Sequence, residues 1–478
     1  MNATSCNRAF TLPRLTFAFL LILAVYLFRD AWIPTDSKHG LQTESFQHVA
    51  TEPQPTPVKD KSDEVAKAPT EDCRNIPGAD NVLVMLKTGA TELYQKLPTH
   101  FVTLFKCAPH YMIFSDLAQD FADFPVHDAI APVSKQFREQ HEDFTLYRKL
   151  RQYQREGQDM SKLKGDQGWN LDKWKFLPML FEAFDAAPPQ IEWFFMMEAD
   201  TSVSWTNLLQ FLKTMDPDRP FYLGSQNVIG DTTFAHGGSG IVLSRQAARQ
   251  MQDRRNQEGK EAYNKRWEEL TSSSCCGDEI VARALLEADV PMTPAWPLIQ
   301  GETVATVDFT KNHWCTPAIT WHHVTPLEID AIWKFQADWV DDHDWNTPYL
   351  FRDIFAHFID RHITANRHAW NNLSQDKKLV APSLATDEDL PFAELSESEQ
   401  KAVDSENSCE QACAQQPDGN CVQWMYSPGR CYLGEVVRFG KPDERDDDTW
   451  ISGWIPQRIA EYKKHLGECR KVNWGAPS

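Results

Sequence analysis

The sequence predicts an α/β domain built on a largely parallel central sheet, followed by a small α+β module held by disulfides. Three observations carry this. Short apolar runs alternate with segments of helical periodicity between residues 81 and 198, the pattern of successive βαβ units. Those runs end in Gly or acidic residues, and open α/β sheets bind ligands at the carboxyl ends of their strands. Near the C-terminus the cysteines crowd into Cys409-x3-Cys413-x7-Cys421-x9-Cys431, the density of a small disulfide-dependent unit.

The 478 residues are 42% apolar, with 17 Trp and 27 Phe, enough for more than one domain and a large core. The net charge of −20 speaks against a nucleic-acid partner, because phosphate backbones are bound by Lys and Arg surfaces. Leu15 to Phe28 is an apolar run of fourteen residues between Arg14 and Arg29. As a helix it spans only about 21 Å, and a membrane span usually needs about 20 residues. Phe10, Leu12, Trp32 and Ile33 extend it, with the flanking arginines snorkelling to the interface. No small-x-small cleavage site follows, so the expectation is an uncleaved signal-anchor over residues 15–33, with a cleaved signal peptide as the alternative. Arg8 and Arg14 place residues 1–14 in the cytosol and the remainder in the secretory lumen. Residues 34–70 contain Pro34, Pro53, Pro55, Pro57 and Pro69 without apolar periodicity, the composition of a disordered stem.

Of the eleven cysteines, ten follow the anchor, an even number that suits disulfides in an oxidising compartment. No CxxC pair or Cys/His cluster has zinc-finger spacing. Cys73 and Cys107 bracket the first strand and are expected to pair; Cys315 is expected to pair with Cys275 or Cys276. Asn372-Leu373-Ser374 is a candidate glycosylation sequon.

The α/β domain is expected to run from 71 to 370. NVLVMLKTGA (81–90), HYMIFSD (110–116) and IEWFFMME (191–198) have the length and flanks of buried strands. Residues 137–157 form a charged helix-like segment, and LDKWKFLPMLFEAF (171–184) has helical apolar spacing with Pro178 as a start or kink. A polar stretch, 371–400, is expected to be a linker to the module at 401–470.

Candidate chemistry gathers at strand ends. Glu198 and Asp200 lie two apart, so on an extended chain they share a face and can converge on a hard divalent cation. The bland alternative is a helix N-cap, with Thr201 or Ser204 as further candidates. FAHGGSGIVLS (234–244) places Gly237, Gly238 and Gly240 before an apolar segment, where they permit close backbone approach or simply a turn. Asp278 and Glu279 open an amphipathic helix over 275–290; first-turn acids are favoured there by the helix dipole whether or not they react. ITWHHVTP (319–326) ends in His322 and His323, candidate metal ligands or bases, although paired histidines are more often structural.

The order of these segments resembles the fringe and core 1 β1,3-galactosyltransferase group, glycosyltransferase family 31, over about residues 80–335. WFFMMEADTSV (193–203) is similar to the family's aspartate-rich DxD segment. FAHGGSGIVLSR, GDE and WHHV are similar to its glycine segment, its acidic pair before a helix and its histidine segment. The resemblance implies a GT-A-type fold and a luminal catalytic domain on a Golgi type II anchor. It also implies a UDP-sugar donor, a glycan or glycoprotein acceptor, and Mn²⁺ or another divalent cation held by Asp200, His322 and Glu198. Asp278, or failing that Glu279, is implied as the base. Thr88 and Asp116 would contact uridine or ribose, with Glu198 and Gly237, Gly238 and Gly240 also on the donor side. Here Glu198 and Ala199 replace the family's first and middle aspartates, so Asp200 is the firmer metal ligand. The C-terminal cysteines, with CVQWMY (421–426), resemble a PAN/apple module, which implies the pairs Cys409–Cys431 and Cys413–Cys421. The expected activity is an inverting, β1,3-type transfer of a hexose, galactose or N-acetylhexosamine. The alternatives are an inactive glycan- or protein-binding membrane protein acting through the module, and a glycoside hydrolase using two carboxylates.

Overall fold

The structure is a computed structural model that describes residues 73–417 and 419–475. The expected anchor over 15–33 and stem over 34–70 lie outside the described residues. Among the described residues no helix is long and apolar enough to cross a membrane.

Among the described residues nineteen strands occur in chain order. The central sheet contains β1 (Val82–Lys87), β2 (His110–Ser115), β3 (Gln119–Phe121), β4 (Phe124–Asp128), β5 (Trp193–Glu198), β7 (Tyr222–Gly224), β10 (Ile241–Ser244) and β11 (Met292–Pro294), in the order β11-β7-β10-β5-β1-β2-β4-β3. Strand β1 pairs in parallel with both β2 and β5, and β2 with β4. Strand β10 runs antiparallel to β5 and to β7, and β3 antiparallel to β4. The expected largely parallel α/β sheet is therefore present, with two reversed strands.

Continuous apolar runs form the middle strands because both faces are covered. In β5, Phe194 and Met196 join a core built with α2 (Phe176–Ala186), α4 (Arg245–Glu258), α5 (Lys260–Ser273) and α6 (Gly277–Glu287). Trp193, Phe195 and Met197 point into a second core with α3 (Trp205–Leu212). Residues 137–157, expected as one helical segment, are broken into Lys135–Gln140 and α1 (Thr145–Glu156) by a tight turn at Glu142–Phe144. Phe144 is buried there, which fixes the bend. Pro178 sits in the first turn of α2, where its missing N–H costs nothing.

Two short ladders matter for the site. Strand β6 (Ser202–Val203) pairs with β12 (Thr320–Trp321), with Trp321 opposite Ser202. Strands β8 (Gln226–Ile229) and β9 (Thr232–Ala235) form a separate hairpin. Helix α7 (Pro326–Asp342) follows β12 behind a Thr325–Glu328 capping box.

The C-terminal sheet has the order β13-β19-β16-β17-β15, with β13 (Arg367–His368), β15 (Lys377–Val380), β16 (Gln423–Ser427), β17 (Arg430–Gly434) and β19 (Ile451–Trp454). Strands β14 (Trp370–Asn371) and β18 (Lys441–Pro442) pair beside it. Helices α8 (Glu406–Ala414) and α9 (Pro456–Leu466) complete this part. Cys409–Cys431 and Cys413–Cys421 are bonded as the resemblance implied, and Cys73 is bonded to Cys107, as their place on either side of the first strand suggested.

Three expectations are corrected. Residues 371–400 are not a free linker: Lys377–Val380 forms an edge strand on β17, and its consecutive Leu379 and Val380 are both buried there. Cys315 pairs with Cys469, and Cys275 with Cys276; the chain end returns to the first domain, which spacing could not reveal. Asn372 is fully buried, and its amide nitrogen donates to the carbonyls of Trp424 at 3.0 Å and Gly453 at 3.3 Å. In the folded chain that sequon is a structural hydrogen-bond hub, not a surface acceptor for glycan.

Candidate active site

Strands β1, β2 and β5 end side by side, and the residues just past them line one cleft of about 590 Å³. Thr88, Asp116, Glu198, Asp200, Gly238, Asp278 and His322 all line it. A more apolar cavity of about 520 Å³ between α2 and α5 includes none of these seven, so the chemistry belongs to the first.

The register sets the first charge contact. Lys87 is opposite Glu198 in the parallel β1–β5 pair, and its Nζ lies 3.0 Å from Glu198 Oε1. It also bonds Asp172. Lys87 is buried. Burial alone would lower its pKa, but the carboxylates of Asp172 and Glu198 hold it above the ordinary lysine value. Reciprocally, burial would raise Glu198, yet Lys87 and His322 hold it well below the usual carboxylate range. Lys175 does similar work one strand over: it donates to the Thr88 carbonyl at 2.9 Å and lies 3.5 Å from Asp116 and 3.1 Å from Asp172.

Asp200 sits in the turn after β5. Its Oδ2 accepts from Lys96 at 3.2 Å, while Oδ1 faces His322 Nε2 at 3.6 Å. Glu198 Oε2 lies 3.8 Å from the same nitrogen. The β6–β12 ladder explains this convergence across the sequence: Trp321 opposite Ser202 leaves His322 beside the Asp200 turn, and Val324 N–H donates to the Asp200 carbonyl at 3.1 Å. Burial opposes protonation of His322, but Asp200 and Glu198 raise its pKa to about 9. Both ring nitrogens of His322 are buried without a hydrogen-bond partner.

That arrangement fits a divalent cation. Two ligand atoms each about 2.1 Å from one ion stand about 3–4 Å apart, and 3.6 Å is too long for a hydrogen bond. A buried imidazole with no partner is otherwise costly. The N-cap alternative does not account for the acids, since the cap of α3 is Ser204, which accepts from Asn207 N–H.

The glycines divide. A Cβ on Gly238 would lie 2.2 Å from His322 Nε2, so glycine at 238 is what lets the imidazole occupy its place. Gly237 N–H donates to Asp278 Oδ2 at 3.0 Å. Gly240 adopts φ +98° against the Phe195 ring. Neither Gly237 nor Gly240 lines the cleft, so the close approach expected of this segment is to protein groups rather than directly to a ligand.

The two first-turn acids of α6 also separate. Asp278 lines the cleft, and burial raises its pKa above the ordinary aspartate value. Glu279 does not line it; it accepts from Ser274 Oγ at 2.5 Å and meets Arg283 at 3.5 Å. Asp116 Oδ1 accepts from Ala90 N–H at 2.7 Å, which ties down the loop after β1. The Thr88 hydroxyl is buried and unpartnered.

Sequence reasoning missed Lys87, Lys96, Lys175, Asp172, His236, Trp169 and the Cys275–Cys276 pair, all of which line the cleft. The signal was faint: Lys87 ends an apolar strand, and Asp172 and Lys175 interrupt an otherwise apolar helical stretch. Their sense depends on neighbours far away in sequence.

Residues 78–296 match the protein-family model described as Fringe-like. The matched span includes Lys87, Glu198, Asp200 and Asp278; His322, His323 and the C-terminal sheet lie beyond it. The Fringe-like family is a glycosyltransferase family whose members generally use a divalent cation and a UDP-sugar.

Proposed function

We propose that this chain is a metal-dependent inverting glycosyltransferase that moves a hexose, galactose or N-acetylhexosamine, from a UDP-sugar to a hydroxyl of a glycan or glycoprotein. The observation that carries the reading is the convergence of Asp200 and Asp278, from the Fringe-like span, with His322, from the segment after it, in one cleft. Residues 15–33 anchor it in the Golgi membrane with residues 71–470 luminal, and the disulfide-bonded C-terminal part is a PAN/apple-like module that engages the acceptor or a partner.

Asp200 and His322 would hold a divalent cation, Mn²⁺ by family habit. A bound cation supplies charge neutralisation for the diphosphate leaving group. Lys87, Lys96 and Lys175 raise the local positive potential in an otherwise acidic chain, each held by the carboxylates it faces. Thr88 and Asp116 border the nucleoside end. The acceptor oxygen forms a new bond to the anomeric carbon as the bond from that carbon to the diphosphate oxygen breaks. The electron pair leaves with UDP, and the hydroxyl proton passes to the Asp278 carboxylate. Gly237 N–H fixes that carboxylate, and its burial gives it more basicity than a surface aspartate. Glu279, engaged with Ser274 and Arg283, is not needed for the step.

The test is UDP release by the full chain from a panel of UDP-sugars with Mn²⁺, with EDTA, and in Asp200→Ala. The expected result is metal-dependent release from one sugar, lost by at least about 100-fold in the variant. No release together with no Mn²⁺-dependent UDP binding would overturn the reading and leave a binding protein acting through its C-terminal module.

A further inference from the structure

The geometry points to a cation site in this chain made by Asp200, His322 and His323, from which Glu198 is withheld as the charge partner of Lys87. This inference rests on the transferase reading but departs from the simple assignment of both acids of the Glu-Ala-Asp segment to the metal.

The first observation is proximity. One ligand atom each from Asp200, His322 and His323 lies within 4.8 Å of the others, and Glu198 is not part of that group. The two imidazoles face one another with centroids 3.8 Å apart and 32° between planes. Asp200 offers Oδ1 to this group because Oδ2 is taken by Lys96.

The second is backbone conformation. His323 has φ +57°, in the left-handed region that a non-glycine residue adopts only at a cost in backbone strain. Hydrogen bonds on either side hold it there: His322 N–H donates to Glu302 O at 3.2 Å, and Val324 N–H to Asp200 O at 3.1 Å. A peptide held in this way lets consecutive residues present their rings to the same spot, whereas on a regular strand they would point to opposite faces. His323 is solvent-exposed while His322 is buried, and its ring lies against that of His322.

The third concerns Glu198. Register places it beside Lys87, whose buried ammonium lies 3.0 Å away. Removing one partner of a buried pair leaves an uncompensated charge, so Lys87 has a structural claim on this carboxylate. Glu198 is assigned as a positioning residue: Oε1 holds Lys87, while Oε2, 3.8 Å from His322 Nε2, borders the site from outside the group formed by Asp200, His322 and His323.

The experiment measures Mn²⁺ affinity of the full chain in the presence of UDP by the electron paramagnetic resonance of free Mn²⁺. Spin-echo modulation of bound Mn²⁺ then counts the coordinated imidazole nitrogens. The variants are His323→Asn, chosen because Asn tolerates positive φ, Glu198→Gln and Asp200→Asn. Expected are two imidazoles in the wild-type protein and one in His323→Asn, with affinity lower by about tenfold or more in His323→Asn and Asp200→Asn, and with a smaller loss in Glu198→Gln than in Asp200→Asn. A single imidazole in the wild type, or a loss in Glu198→Gln as large as in Asp200→Asn, would overturn this ligand set while leaving the transferase reading intact. No Mn²⁺ binding by the wild type with UDP would overturn both.

Discussion

At the scale of single residues, the site depends on charges that are matched before any substrate arrives. Lys87, Glu198 and Asp172 form one such set, Lys175, Asp116 and Asp172 another. Asp278 stands apart, because its carboxylate accepts two backbone N–H groups, from Gly237 and Glu279, rather than an ammonium. Its pKa is raised by burial. The sign follows: a folded-state value above the unfolded one favours the neutral acid, a stability contribution present below the unfolded pKa and lost as pH rises through the folded one. Ionised Asp278 therefore carries a cost at neutral pH, which is the condition for a base that takes up a proton. The pH profile of kcat/KM is expected to show an acid limb with its midpoint above about 3.9, and Asp278→Asn is expected to lower kcat by about 100-fold or more. An unchanged kcat in that variant would remove Asp278 from the mechanism. The candidates Asp200, Asp278 and His322 were legible through the order of the segments that carry them, which resembles the transferase family, since an acid after a strand, a first-turn acid and a histidine pair are each common patterns alone. Which of each pair faces the cleft was not: Asp278 and Glu279 are adjacent, and only the packing of α6 separates them.

Among the elements, the strands were the most legible. IEWFFMME was expected over 191–198 and β5 runs Trp193–Glu198, because an apolar run with polar ends has few alternatives when both faces are covered. Phe195 is fully buried between β1 and β10 and touches Gly240. Phe195→Ala is expected to cost about 3–5 kcal/mol, whereas Val228→Ser on the exposed β8–β9 hairpin, where Val228 is 61% exposed, should stay within about 0.5 kcal/mol. Thermal unfolding of the two variants checks this; equal shifts would contradict the core assignment. Short elements were not legible. The two-residue ladder of β6 with β12 has no periodicity to detect, yet it brings His322 to Asp200. The break between Lys135–Gln140 and α1 was also hidden, since charged residues continue across it while Phe144 turns inward.

At the scale of the whole fold, the C-terminal part is fused to residues 307–355, which follow the Fringe-like span, rather than tethered to them. One core joins Val307, Phe309, Trp321 and Phe355 with Val422, Val437 and Trp454. Trp314 donates to the Gly467 carbonyl at 3.0 Å, and Tyr462 to that of Phe309 at 2.8 Å. The Cys315–Cys469 disulfide closes a sequence separation of 154 residues. Cys315→Ser with Cys469→Ser is expected to lower stability by about 2–5 kcal/mol, read as a fall in the unfolding midpoint without separate transitions for the two parts. Two resolved transitions would show that the parts are independent.

The sequence by itself determined the alternation of strands and helices, the acidic strand end and the cysteine-dense C-terminus, because each is a local pattern of burial or covalent chemistry. Tertiary structure alone decided the rest. Lys87 meets Glu198 through parallel register, His322 meets Asp200 through a two-residue ladder, Cys315 meets Cys469 through the return of the chain end, and Asn372 is buried by strands that follow it. Each of these is a contact between residues far apart in sequence. Periodicity reports which face of an element is buried, but not which distant side chain will cover it.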